Sequence, residues 1–139
     1  MGFFDDILKK IGASLATRYA VVVEGNYAGC HLAMGNPPKE KVTVANRFPQ
    51  VIFLKDKEEV ARLNIAKDVV GVEYNETIQF AATGNDGFRC TITYADGETS
   101  VIDLFPSKLF VFYSNFEGMM DKETSEFLKN EVDKRVAQA

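Results

Sequence analysis

The stretch Val42–Tyr74, VTVANRFPQVIFLKDKEEVARLNIAKDVVGVEY, decides the class of this chain. Its centre, Val51-Ile52-Phe53-Leu54, is an unbroken apolar run of strand length, the pattern of a strand covered on both faces. The charged turn Lys55-Asp56-Lys57-Glu58-Glu59 follows. Apolar Ala61, Leu63 and Ile65 then alternate with polar Arg62 and Asn64. Val42 to Ala45 is a strand candidate ahead of the run, and Val70, Val72 and Tyr74 carry the alternation beyond it.

The same period of two extends in both directions. Upstream, Tyr19, Val21 and Val23 share a face, and Cys30, Leu32 and Met34 form a second short strand before Gly35-Asn36-Pro37-Pro38. Downstream, Ile78, Phe80 and Ala82 lead to the turn Gly84-Asn85-Asp86-Gly87. In the next segment Phe88, Cys90, Ile92 and Tyr94 alternate with Arg89, Thr91 and Thr93. Asp96-Gly97 signals a tight hairpin, because both residue types tolerate positive φ. Ile102 and Leu104 end the series. Short strands at hairpin spacing predict a mainly β fold with antiparallel pairing, either a small barrel or two orthogonal sheets.

Helical periodicity returns at both ends. Phe4, Ile7, Leu8, Ile11 and Leu15 are spaced as one face of an amphipathic N-terminal helix, with Asp5 and Asp6 at its start. Such a helix would occupy residues 1–16, ahead of a single β domain spanning residues 17–139. It would dock on that domain or on a neighbouring copy; the other use of such a stripe is as a membrane-surface anchor, with Phe3 and Phe4 in lipid. After Pro106, the residues Leu109, Phe110, Phe112, Tyr113 and Phe116 suit a helix, although their β-branched and aromatic content also suits a last strand. Asp121 is placed to cap a terminal helix carrying Phe127, Leu128, Val132 and Val136.

The run from Val42 onward resembles the opening hairpins of GRAM and bacterial pleckstrin-homology-like domains. Asn46-Arg47 stands where those families end a strand in a small polar and a basic residue. An aliphatic-aromatic strand and a charged turn follow, and Asp68-Val69-Val70-Gly71-Val72-Glu73 approximates their next step. The similarity extends through the Tyr94-Ala95-Asp96-Gly97 hairpin to about Phe116. It implies two orthogonal antiparallel sheets plugged by a helix, and a role in binding phosphoinositides, peptides or further copies of the same domain, without enzymatic activity. The lipid site is not expected here. Lys39, Lys41, Arg47, Lys55, Lys57 and Arg62 are interspersed with Glu40, Asp56, Glu58 and Glu59, so their fields cancel over short distances.

Composition narrows the choice further. A net charge of −4 over 139 residues disfavours nucleic-acid binding. Two cysteines, Cys30 and Cys90, suggest free thiols and a cytoplasmic location. His31 is the single histidine, and on a strand it points away from its neighbour Cys30, so a catalytic pair is not expected. Asp5-Asp6, Glu58-Glu59 and Asp86 with Asp96 read as helix-start or turn residues, not acid–base pairs. Neither a metal site nor a cofactor is expected.

The reading from sequence is therefore a non-enzymatic binding or assembly module working through protein contacts, with a second copy of itself as the leading partner. A peripheral membrane module and a carrier of small apolar ligands are the alternatives. On a helix, Phe110 and Phe112 cannot both face one core. The surface expected to do the binding combines Phe3, Phe4, Ile7, Leu8 and Ile11 with Phe110, Phe112 and Phe116.

Overall fold

The computed structural model describes residues 18–35, 50–81 and 84–138. The expected N-terminal helix and the Val42–Ala45 strand lie outside them. Seven strands, β1 (Arg18–Gly25), β2 (His31–Gly35), β3 (Gln50–Lys55), β4 (Glu58–Asn64), β5 (Val69–Gln79), β6 (Asp86–Tyr94) and β7 (Thr99–Leu104), form one antiparallel sheet. Their order is β4-β3-β2-β1-β7-β6-β5, so two meanders meet where the first strand pairs with the last. The edges β4 and β5 are joined by the four-residue helix α1 (Ile65–Asp68) and are not paired with each other. A 3₁₀ turn (Pro106–Lys108), α2 (Leu109–Phe116), a second 3₁₀ turn (Glu117–Met119) and α3 (Lys122–Gln138) complete the described chain.

The sheet is strongly curled. Phe53 on β3 and Tyr94 on β6 are four strands apart, roughly 19 Å across a flat sheet. Their ring centroids nevertheless lie 6.5 Å apart. Tyr27, in the β1–β2 turn, stacks on Phe53 at 4.2 Å and meets Tyr94 edge-on at 6.0 Å. Tyr94 Oη donates to Ser100 Oγ (2.7 Å), which donates to the Asn26 carbonyl (2.6 Å), tying the same turn to β7. The inner face is one core cluster, into which α2 sends Leu109, Phe112 and Phe116 and α3 sends Leu128 and Val132.

Local chemistry explains where the elements begin and end. Asp56 and Lys57, both at positive φ, make the two-residue β3–β4 turn, whose twist matches the flanking strands. At the β6–β7 hairpin Gly97 takes φ +89°, while Asp96 accepts the Glu98 N–H (2.9 Å) instead of adopting positive φ itself. Asn64 and Asp68 cap α1 reciprocally: Asn64 accepts from Lys67 N–H, and Asp68 accepts from Asn64 N–H. Asp121 Oδ1 accepts from Thr124 N–H (2.8 Å) at the start of α3, as its position predicts. Gly87 has no room for a side chain, since a Cβ there would overlap the Phe80 ring and the Leu104 carbonyl.

Several expectations about facing need correction. Tyr19, Val21 and Val23 do not share a face: a bulge near the start of β1 buries Tyr19, Ala20 and Val22 and leaves Val23 exposed. A second bulge between Val69 and Gly71 buries Val69 and Val72 while Val70 turns outward at 60% exposure. Ile65 opens α1 and does not extend β4. The segment after Pro106 is helical, not a final strand. By contrast β3 is buried on both faces, and Phe88, Cys90, Ile92 and Tyr94 all point inward, as the alternation predicts.

Two substitutions test this packing by urea denaturation. Phe53→Ala should cost about 3–5 kcal/mol, because it empties the hinge of the curl. Tyr19→Phe should cost nothing or stabilise slightly, because the buried Tyr19 hydroxyl has no hydrogen-bond partner among the described residues.

Candidate functional site

Helix α2 sorts its aromatic residues by phase. Leu109, Phe112 and Phe116 fall on one side at helical spacing, and Phe112 and Phe116 stack on each other at 4.6 Å and meet Tyr19 at 6.1 and 6.5 Å. Phe112 and Phe116, expected on the interaction surface, are therefore core residues. Phe110, one step round the helix, is 64% exposed. Ser114, four residues on, is exposed too and donates back to the Phe110 carbonyl (2.8 Å). Of the expected surface residues, Phe3, Phe4, Ile7, Leu8 and Ile11 lie outside the described chain. Phe110 alone stands in the open among those described.

A groove of about 520 Å³ runs along the edge strand β5, lined by Val70, Gly71, Thr93, Met119, Met120 and Asp121 among others. The alternation in the sequence does not announce this groove. Gly71 carried the missed signal, because a glycine inside a strand pattern often marks a bulge. The edge is partly closed from within. Tyr74 N–H donates to Thr124 Oγ1 (2.9 Å), Val72 bridges to Met120, and the Tyr74 ring stacks on Phe127 at 4.2 Å. At the opposite edge β4 exposes Val60, flanked by Glu58 and Glu59, and charged residues of this kind discourage strand-to-strand aggregation.

The outer face carries a polar network on the β5–β7 side. Arg89 grips Asp103 through two bonds (2.8 and 3.1 Å) and reaches Glu76 at 3.3 Å. The hydrogen bond to Asp103 raises the Arg89 pKa, and Asp103 itself is almost fully buried. His31 stands on the same face between Val21 and Leu54, its ring 6.2 Å from Phe105. Burial, then the nearby Arg18, lowers its pKa below the ordinary value of 6.5, so the imidazole is neutral at pH 7. Burial, then the Asp103 charge, pushes the Cys90 thiol up to about 12, which leaves no thiolate for nucleophilic attack near neutrality. Both cysteines are free and buried. Among the described residues no group of three or more His, Cys, Asp or Glu side chains could hold a metal ion. None of the described helices is long and apolar enough to cross a membrane.

Comparison of the chain with protein-family models, curated proteins and solved structures finds no match.

Cys90 offers a direct check on this description. Its thiol should stay unreactive toward a disulfide reagent at pH 8 in the native protein and react fully once urea unfolds the sheet. Rapid native-state labelling that tracks Cys90, and is abolished by Cys90→Ala, would contradict its place in the core.

Proposed function

We propose that this chain is a non-enzymatic binding and assembly module of the pleckstrin-homology-like type, cytoplasmic, whose principal partner is a second copy of itself. The observation that carries the reading is Phe110. Phe110 stands 64% exposed on a helix that buries its other phenylalanines, so most of its ring is left outside the core. Large aromatic side chains left in this way are the usual anchors of protein interfaces. A curled antiparallel sheet with C-terminal helices packed on its inner face supports the mainly β class; it is one seven-stranded sheet and not the two orthogonal sheets that the sequence resemblance implies.

The two groups best suited to nucleophilic or acid–base work among the described residues are held in unreactive forms. The single histidine is neutral and set among apolar neighbours, and Cys90 is locked as a thiol. The inner face, where a barrel would hold a small apolar ligand, is filled by Tyr19, Phe53, Phe88, Phe112 and Phe116. That leaves little room for the carrier alternative. The guarded edges β4 and β5 argue for side-chain contacts at a helix face over strand addition.

Light scattering of the full chain at micromolar concentration is the test. A dimer or larger assembly is expected, shifting toward monomer in Phe110→Ser with an unchanged melting temperature. The substitution removes no buried contact, so loss of assembly without loss of stability separates interface from fold. A wild-type chain that is monomeric throughout the micromolar range would remove self-association.

A further inference from the structure

Helix α2 keeps one side bare along its length. Phe110, Ser114 and Gly118 are all exposed, and their spacing of four sets them in one line along the helix and the 3₁₀ turn that extends it. The line begins on a large ring and ends on a residue with no side chain. Gly118 is also part of the wall of the β5 groove, with Val70, Met119 and Met120. A Cβ at Gly118 would meet nothing within 4 Å, so the groove is open above it. Its methionines are flexible and polarizable, and thioethers make favourable contacts with aromatic rings. Charge divides the two ends of the line as well. Glu73 and Asp121 line the groove, which has no Lys or Arg among its described residues, whereas Lys108 stands two residues before Phe110. None of these three makes an ion pair among the described residues.

Resting on the self-association proposed above, we propose that two copies pack antiparallel along α2 about a twofold axis at Ser114, each seating its Phe110 in the β5 groove of the other. Phe110 and Gly118 lie equally far from Ser114 on either side, four residues or roughly 6 Å along a helix. An antiparallel partner therefore sets its Gly118 opposite Phe110, and the twofold makes the contact reciprocal. Both rings are seated by one arrangement, and the assembly closes as a dimer. The absent side chain at Gly118 is what lets the ring enter. Val70, turned outward by the β5 bulge, gains an apolar neighbour in the same step. The same alignment brings Lys108 opposite the partner's Met120 and beside the carboxylates of its groove, so a free cation meets two carboxylates twice in each dimer. Opposed charges of this kind fix register and orientation. No backbone pairing at the β5 edge is required.

The full chain carrying Gly118→Leu tests the seat. A leucine has room there in the single copy but fills the place of the partner's ring. The dimer dissociation constant, read by analytical ultracentrifugation, should rise at least about tenfold with an unchanged melting temperature, as loss of an interface anchor does. Ser114→Cys tests the axis. A short bis-maleimide should join it to its copy and leave Glu98→Cys, exposed on the β6–β7 turn, unjoined; Cys30 and Cys90 are buried and do not compete. A dimer weakened by Phe110→Ser but untouched by Gly118→Leu would overturn the groove seat and leave self-association standing. A dimer with no crosslink through Ser114→Cys would overturn the twofold packing, and a wild-type monomer would remove both readings. Should Gly118→Leu lower the melting temperature, charge reversal decides. Lys108→Glu should weaken the dimer and added Glu73→Lys should restore it; no restoration would sink the seat.

Discussion

The contact between Phe53 and Tyr94, with Tyr27 set against both, is the constraint on which the architecture depends. A seven-stranded sheet that stayed flat would present its inner residues to two helices, α2 and α3, too few to cover them. Bringing strands β3 and β6 within ring contact lets a single cluster collect side chains from six strands and both larger helices. The curl also sets the role of the β1–β2 turn, because Tyr27 fills the concavity and Asn26 accepts the hydroxyl of Ser100. Removing a ring here loses more than its own area, since the strands on either side must then separate.

That curl divides the surface into zones of different chemistry. The inner face is aromatic and dry. The outer face is ionic across β5–β7, where Arg89 and Asp103 form a bidentate pair, and apolar across β2 and β3. Strand β3 lies between two apolar surfaces and behaves like a strand of an α/β protein, although every neighbour is antiparallel. The described surface features away from the sheet faces lie at the margins: the exposed side of α2, the groove beside β5, and the charged edge β4.

Much of this is legible in the residues. The apolar run Val51–Leu54 states its two-sided burial outright, and the alternation from Phe88 to Tyr94 holds without exception. Asp121 before an amphipathic stretch announced a cap, and Asp96-Gly97 announced a hairpin. Phase was the part that could not be read. A bulge shifts a strand by one residue and exchanges its faces, so Val23 and Val70 emerged where Val22 and Val72 went in. The same limit applied to α2. Helical spacing separates Phe110 from Phe112, but the choice between them rests on Tyr19, some ninety positions earlier in the chain.

The pairing of β1 with β7 has a consequence for how the molecule comes to be. Gly25 lies opposite Ser100, and a Cβ at Gly25 would strike the Thr99 carbonyl, so the two backbones meet closely at the centre of the sheet. The hairpins β1–β2 and β3–β4 can zip from local turns, yet their inner face has no cover until β7 and the helices beyond it join them. Closing that junction requires ordering a loop of most of the chain, the slow class of event in folding. Until that junction closes, the folding chain carries an unfinished apolar concavity. Strand β7 and the helices after it act as the keystone that ends that exposure.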